Sequence, residues 1–210
     1  MWCWDITWLP GPARGLFFYL YLILDLYSRK IVAWEIHDTE ASDLAAKLVH
    51  QGCLAEGLIG QPLVLHADNG SPMKGATLLE TLYGLGITPS YSRPRVSNDN
   101  AFPESLFRTC KYRPDYPVKG FETIADARAW VLAFVHWYNT QHKHSALRFT
   151  TPQQRHSGEA EMILNYREQL YQAARARHPE RWSGDIRNWS LPTQVWLNPE
   201  KELPELEKAA

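Results

Sequence analysis

Cysteine is scarce in this sequence and unpatterned: Cys3, Cys53 and Cys110 lie far apart, with no CxxC spacing. A disulfide scaffold and a cysteine-based structural zinc site are thereby excluded, and a reducing compartment, the cytoplasm, is expected. Long apolar runs are lacking too. The longest, LFFYLYLIL at residues 16–24, is too short to cross a bilayer, and no basic leader with a cleavage site precedes it, so no membrane association is expected. Nor does one charge dominate. There are 22 Lys and Arg against 23 Asp and Glu, a formal net charge of −1, which gives no global sign of a polyanionic partner. Repeats and low-complexity blocks are absent. What the chain does have is aromatic mass, with nine Trp, ten Tyr and seven Phe in 210 residues, and length enough for one large domain or a domain with an appendage.

Hydrophobic periodicity organises the first half. WCWDITWL alternates, with Trp2, Trp4, Ile6 and Trp8 on one face and Cys3, Asp5 and Thr7 on the other, so Asp5 sits mid-strand. Strands are expected over residues 16–24 and 31–36, and the three together form an antiparallel meander. A helix follows with Thr39 as its cap, then a short, nearly all-apolar strand PLVLHADNG, a helix over 75–85 ended by Gly86, and a strand over 87–91. This order, βββαβαβ, predicts a mixed sheet covered by helices.

SRPRVSNDN then reads as a mobile loop. A helix begins near Ala101 with Pro103 and Glu104 in its first turn, and a long helix carries Ala127, Trp130, Val131, Phe134 and Trp137 or Tyr138 on its core face. One further amphipathic helix is expected over 151–178, and a tail marked by Trp182, Trp189 and Trp196 folds back on the domain or orders on a partner. Charge is uneven: from Arg93 to Arg155 ten basic residues face five acids, while the end, NPEKELPELEKAA, is acidic. Taken alone, that unevenness reads as an ordinary solvated surface.

HADNG leaves two readings open for Asp68. Asp-Asn-Gly is a strong turn signal, and a carboxylate at a strand end is also a place to do chemistry. Asp5 lies mid-strand, Asp68 at the end of a central strand and Glu104 in a helical first turn. In a βββαβαβα sheet the first and fourth strands are neighbours, which brings Asp5 and Asp68 to one crevice, and the later helix can bring Glu104 there. Three such carboxylates repel one another unless cations intervene. Mg²⁺ or Mn²⁺ takes hard oxygen ligands and keeps positions open for phosphate, and a two-metal site suits phosphodiester cleavage or transfer.

The ordered set WDIT, YLILDLYSRKIVAW, LHADNGS, SYSR, NDNAFPESLFRTCKYRP, YNTQHKHSAL and TP resembles the catalytic core of bacterial insertion-sequence transposases related to retroviral integrases. The signature of that family is Asp, Asp and Glu with 35 residues between the last two, and here 35 residues, Asn69 to Pro103, separate Asp68 from Glu104. The resemblance implies a ribonuclease H-like core over 1–155 and a helical, Trp-containing extension over 156–210. It implies 3′-end cleavage and strand transfer on DNA, with Asp5, Asp68 and Glu104 as catalytic and metal-binding residues. It further implies DNA contacts from Lys111, Arg93, Arg95, Arg108, Asn100 and Lys143, with Asn69, Gly70 and His66 supporting.

His66 is expected as a satisfied neighbour of the acids, not a base. Asp25, Ser28 and Arg29 match a family element, equally explained as a hairpin turn with a surface arginine; Tyr138, Asn139, His142 and His144 suggest packing or phosphate contact. By the same resemblance the active form is a homo-oligomer on DNA, associated with the nucleoid. Helix-turn-helix recognition segments normally precede this core. Because the chain enters its first strand at Trp2, end recognition is expected from a separate subunit or a full-length transposase. Two alternatives stay open: a nuclease of the same fold without strand transfer, and a non-catalytic remnant that only binds DNA or a full-length partner.

Overall fold

The computed structural model describes residues 1–70, 72–93 and 97–198. Five strands, β1 (Trp2–Pro10), β2 (Phe17–Asp25), β3 (Ile31–His37), β4 (Leu63–Ala67) and β5 (Ile87–Tyr91), form one sheet in the order β3-β2-β1-β4-β5. β1 to β3 pair antiparallel, whereas β1, β4 and β5 run parallel. The meander and the central place of β1 agree with the sequence pattern.

The alternation in β1 sorts its side chains between two cores. Trp2 and Trp4 join Tyr21, Ile23, Leu63 and Leu65 against helices α1 (Ser42–Ala55) and α2 (Ala76–Gly84). On the opposite face Leu9, Leu20, Leu22 and Leu24 pack against α3 (Ala101–Lys111) and α4 (Ile124–Thr140). Both faces of the sheet are therefore covered, which is why residues 20–24 can be a continuous apolar run. Each fully buried side chain of this kind contributes about 1.5–3 kcal/mol. Helix α4 starts at a capping box in which Thr123 and Asp126 satisfy each other's backbone N–H groups. It buries Ala127, Val131, Phe134 and Tyr138, the face that its periodicity predicts.

Three local expectations are corrected. Thr39 does not cap α1, which starts at Ser42 after Ala41 with no side-chain cap. Its start is set from across the fold instead: the Tyr21 hydroxyl donates to the Thr39 carbonyl at 3.0 Å and accepts from the Ala41 N–H at 2.8 Å. The single helix expected over 151–178 is two, α5 (Pro152–His156) and α6 (Glu159–Arg177), broken at Gly158, whose φ of +84° cannot continue a helix. In the segment expected as a mobile loop, Ser97–Asn100 is a 3₁₀ turn and Arg93 is bonded to Asp99; Arg95 lies outside the described residues. The tail does fold back, with Trp189 buried against Tyr171.

Among the described residues no helix is long and apolar enough to cross a membrane. The three cysteines are free and buried.

Candidate active site

Asp5 lies on the α3 side of the central strand, one alternation step from Cys3 and Thr7. The parallel register pairs Trp2 with Leu65 and Cys3 with His66. Continued by two residues, it sets Asp5 beside Asp68, immediately past the end of β4. Asp68 is held there by its own turn: its Oδ1 accepts from the Gly70 N–H at 2.8 Å, and the Asn69 amide donates to the Ser92 carbonyl at 2.7 Å beyond β5. Gly70 has a steric reason as well. A Cβ there would stand 3.0 Å from the Asp68 Oδ1 and 3.4 Å from Met73. The turn reading of HADNG is thus correct, and the same turn fixes the carboxylate at the strand end.

Glu104 comes from α3, which crosses β1. At its start the buried Asn100 amide donates to the Trp4 carbonyl at 3.4 Å, and near its end the Lys111 ammonium donates to the Thr7 hydroxyl at 2.7 Å. Glu104, Arg108 and Lys111 are spaced i, i+4, i+7, so they share one stripe of the helix. With α3 moored at Trp4 and Thr7, that stripe runs along the strand past Asp5.

Asp5 feels the other two acids. The Asp5 carboxyl is pushed up to about 7, by burial first and then by the charges of Asp68, Glu104 and Glu40, with the Ile6 N–H opposing at 2.8 Å. Among the described residues no three acids, histidines or cysteines close round a single ion position. Asp5 and Asp68 each accept a hydrogen bond from a nearby backbone N–H. The donor chemistry is all carboxylate oxygen, the set that suits Mg²⁺ or Mn²⁺ and not a soft metal.

Other residues singled out from the sequence fall in several places. His66 is buried, Nδ1 3.0 Å from the Ser90 hydroxyl and Nε2 3.5 Å from that of Ser92, and burial pulls its pKa down. Arg93 forks onto Asp99 through Nε and Nη2. Asn100 is turned inward, between β1 and α3, and not outward to a surface. Lys111 is half-buried, with burial lowering its pKa. Arg108 and Lys143 are exposed.

Arg29 is not the surface arginine of a hairpin turn. It is only 8% exposed, has φ +65°, and lays its guanidinium 3.6 Å above the Phe102 ring at the start of α3. Asp25 and Ser28 do form the turn, the Ser28 hydroxyl and N–H both donating to the Asp25 carboxylate. Asn139 clamps β3, its amide bonding the N–H and the carbonyl of Ile31 at 3.0 Å each. Tyr138 and His142 stack, and His144, pushed down to about 4 chiefly by burial, accepts from the Ala146 N–H. These four side chains pack and cap. Sequence reasoning passed over Thr7, although its alternation with Asp5 marks it, and Asp99, which has no local signal beyond turn chemistry.

Comparison with known proteins bears on the family and the fold. Two family models, both described as integrase core domain, match residues 1–97 and 85–152. The transposase for insertion sequence element IS904 of Lactococcus lactis is 33% identical over 72% of this chain and 59% of its own length. The chain spans about three fifths of the length of that transposase and about half that of the putative transposase for insertion sequence element IS986/IS6110 of Mycobacterium tuberculosis. A chain of the simian T-cell lymphotropic virus intasome, solved with PP2A regulatory subunit B56 gamma, superposes with a TM-score of 0.55 at 17% identity, over 74% of this chain and 53% of that one. The HTLV-2 integrase catalytic core domain in complex with magnesium, in its trimeric form, gives 0.50 at 18% identity, over 74% and 94%. At such identities the likeness is one of fold, ribonuclease H-like. With matched segments that together run from Met1 to Pro152, this chain belongs to the integrase core domain family, and the curated relatives it resembles are insertion-sequence transposases.

Proposed function

We propose that this chain is the catalytic core of a DNA transposase, a polynucleotidyl transferase that frees a 3′-hydroxyl at an element end and joins it to target DNA. The observation that carries the reading is the Asp5 carboxyl, half-buried on the central strand, set beside Asp68 by the β1–β4 register and raised by the charges of both Asp68 and Glu104. Three acids from β1, the exit of β4 and α3 are thereby directed to one region. Asp5, Asp68 and Glu104 would hold Mg²⁺ or Mn²⁺, and magnesium accompanies the HTLV-2 core of the same fold. Bound there, a divalent cation supplies Lewis-acid polarisation of a phosphodiester and activation of the attacking oxygen.

The chain's own contributions are positional. The Gly70 N–H and the Asn69 amide fix Asp68; the contacts at Trp4 and Thr7 set the height of α3, and with it Glu104. In each step one P–O bond forms and one breaks: water attacks and the element's 3′-oxygen leaves with a proton, then that hydroxyl gives up its proton and attacks the target phosphodiester, whose own 3′-oxygen leaves and takes a proton. The exposed Arg108 and Lys143 suit DNA phosphates, and Lys111 completes the α3 stripe. The reading further takes residues 1–155 as the core and 156–210 as its extension. It takes the working state as a homo-oligomer on nucleoid DNA in the cytoplasm.

The test is strand resolution on a branched DNA that mimics an integration product, in Mn²⁺ or Mg²⁺. The parent should be active only with the metal, and Glu104→Gln should lower the rate by about 100-fold or more with an unchanged unfolding midpoint. Retained activity in that variant would overturn the site.

A further inference from the structure

Residues 182–198 contain no helix or strand, a length uncommon for an irregular segment. This one is pinned at separate points. Trp189 is buried under Tyr171. The Ser190 carbonyl accepts from Arg148 Nε at 3.2 Å, and the Pro192 carbonyl from Arg155 Nη2 at 2.8 Å, while the Arg155 guanidinium lies 3.8 Å over Tyr27. Thr193 to Trp196 then line a shallow groove with Met1, Leu26 and Tyr27 at the start of β1. At the far end the Asn198 amide donates to Asp99 Oδ1 at 2.7 Å. Ten residues reach on the order of 30 Å when extended, so the segment ties α5 and α6 to the sheet edge where the acids gather.

The end of this tie is placed for a purpose. Asp99 is buried, and its carboxylate takes four hydrogen bonds: the Arg93 N–H and Nε on Oδ2, and Arg93 Nη2 and Asn198 on Oδ1. The next residue, Asn100, bonds the Trp4 carbonyl, and Glu104 follows in the first turn of α3. Asp99 therefore anchors the chain just before Asn100, which moors the helix that carries Glu104, and Asn198 holds one of the two Asp99 oxygens. We propose that residues 189–198 form a strap that positions α3, with Asn198 acting through Asp99 as a positioning residue for Glu104. This rests on the transposase reading for its catalytic consequence, but not for the tie itself.

The experiment uses the full chain and two variants. Asn198→Ala deletes the bond, and Asn198→Asp sets a carboxylate against Asp99. Hydrogen exchange of the α3 amides near residues 101–105 is measured beside steady-state resolution of branched DNA in Mn²⁺. Exchange there should rise in both variants, with unfolding midpoints unchanged. Turnover should fall about tenfold in Asn198→Ala and about 100-fold in Asn198→Asp, with KM for DNA unaltered, because misplacement of a reacting group acts on the chemical step. Unchanged exchange would overturn the strap. Raised exchange with parental turnover would overturn the positioning role. An inactive parent whose exchange still responds to the variants would support the strap and overturn the transposase reading instead.

Discussion

Replacing Asp5 with Asn should stabilise the protein at alkaline pH while abolishing its chemistry. The Asp5 carboxyl is raised from 3.8 to about 7, a shift that corresponds to roughly 4 kcal/mol. Its folded-state value is the higher one, so between pH 4 and 7 the folded chain keeps a proton that the unfolded chain has lost. Stability therefore falls as pH rises through that window, and levels off above it; below about pH 4 both states are protonated and Asp5 costs nothing. Asn has nearly the same shape and cannot ionise. Without divalent cations, Asp5→Asn should exceed the parent by about 2–4 kcal/mol at pH 8 and match it within about 1 kcal/mol at pH 4. Urea unfolding at the two pH values measures this. Millimolar Mn²⁺ should narrow the gap at pH 8, since a cation favours the ionised carboxylate that only the parent has. Equal stabilities at pH 8, or a gap that persists at pH 4, would refute the claim that Asp5 is held, half-buried, among like charges.

Asn139→Ala should cost about 2–4 kcal/mol in urea unfolding, because it strands the buried N–H and carbonyl of Ile31; a loss below about 0.5 kcal/mol would deny the clamp. At Gly120, φ is +93° and a Cβ would run into the Gly11 carbonyl, so Gly120→Ala should destabilise by more than about 2 kcal/mol. Gly60→Ala, at φ +72° in open space, should cost about 1 kcal/mol by the same assay. The thiols should resist alkylation in the native state: all three are buried, and burial pushes Cys3 and Cys110 up to about 12. Mass spectrometry after iodoacetamide treatment should find labels only once urea is added.

Two kinds of information separate in this chain. Where a property depends on period or on local turn chemistry, the sequence alone determined it. The alternation WCWDITWL places Asp5 and Thr7 on the face opposite Trp2 and Trp4, and the structure keeps that division. The run of apolar residues in β2 announces a strand covered on both sides, and Asp-Asn-Gly announces the turn that holds Asp68. The ordered set of motifs from WDIT to TP, with the 35-residue spacing to Glu104 among them, carries the family resemblance. Where a property depends on a partner distant in the chain, only the tertiary structure decided it. The start of α1 is set by the Tyr21 hydroxyl and not by Thr39. Arg29, polar and in a turn, is drawn inside because Phe102 offers its guanidinium a ring to lie on. Asn198 reaches Asp99 across 99 residues, and no local pattern encodes such a contact, since a hydrogen bond between distant residues exists only once the chain between them has folded.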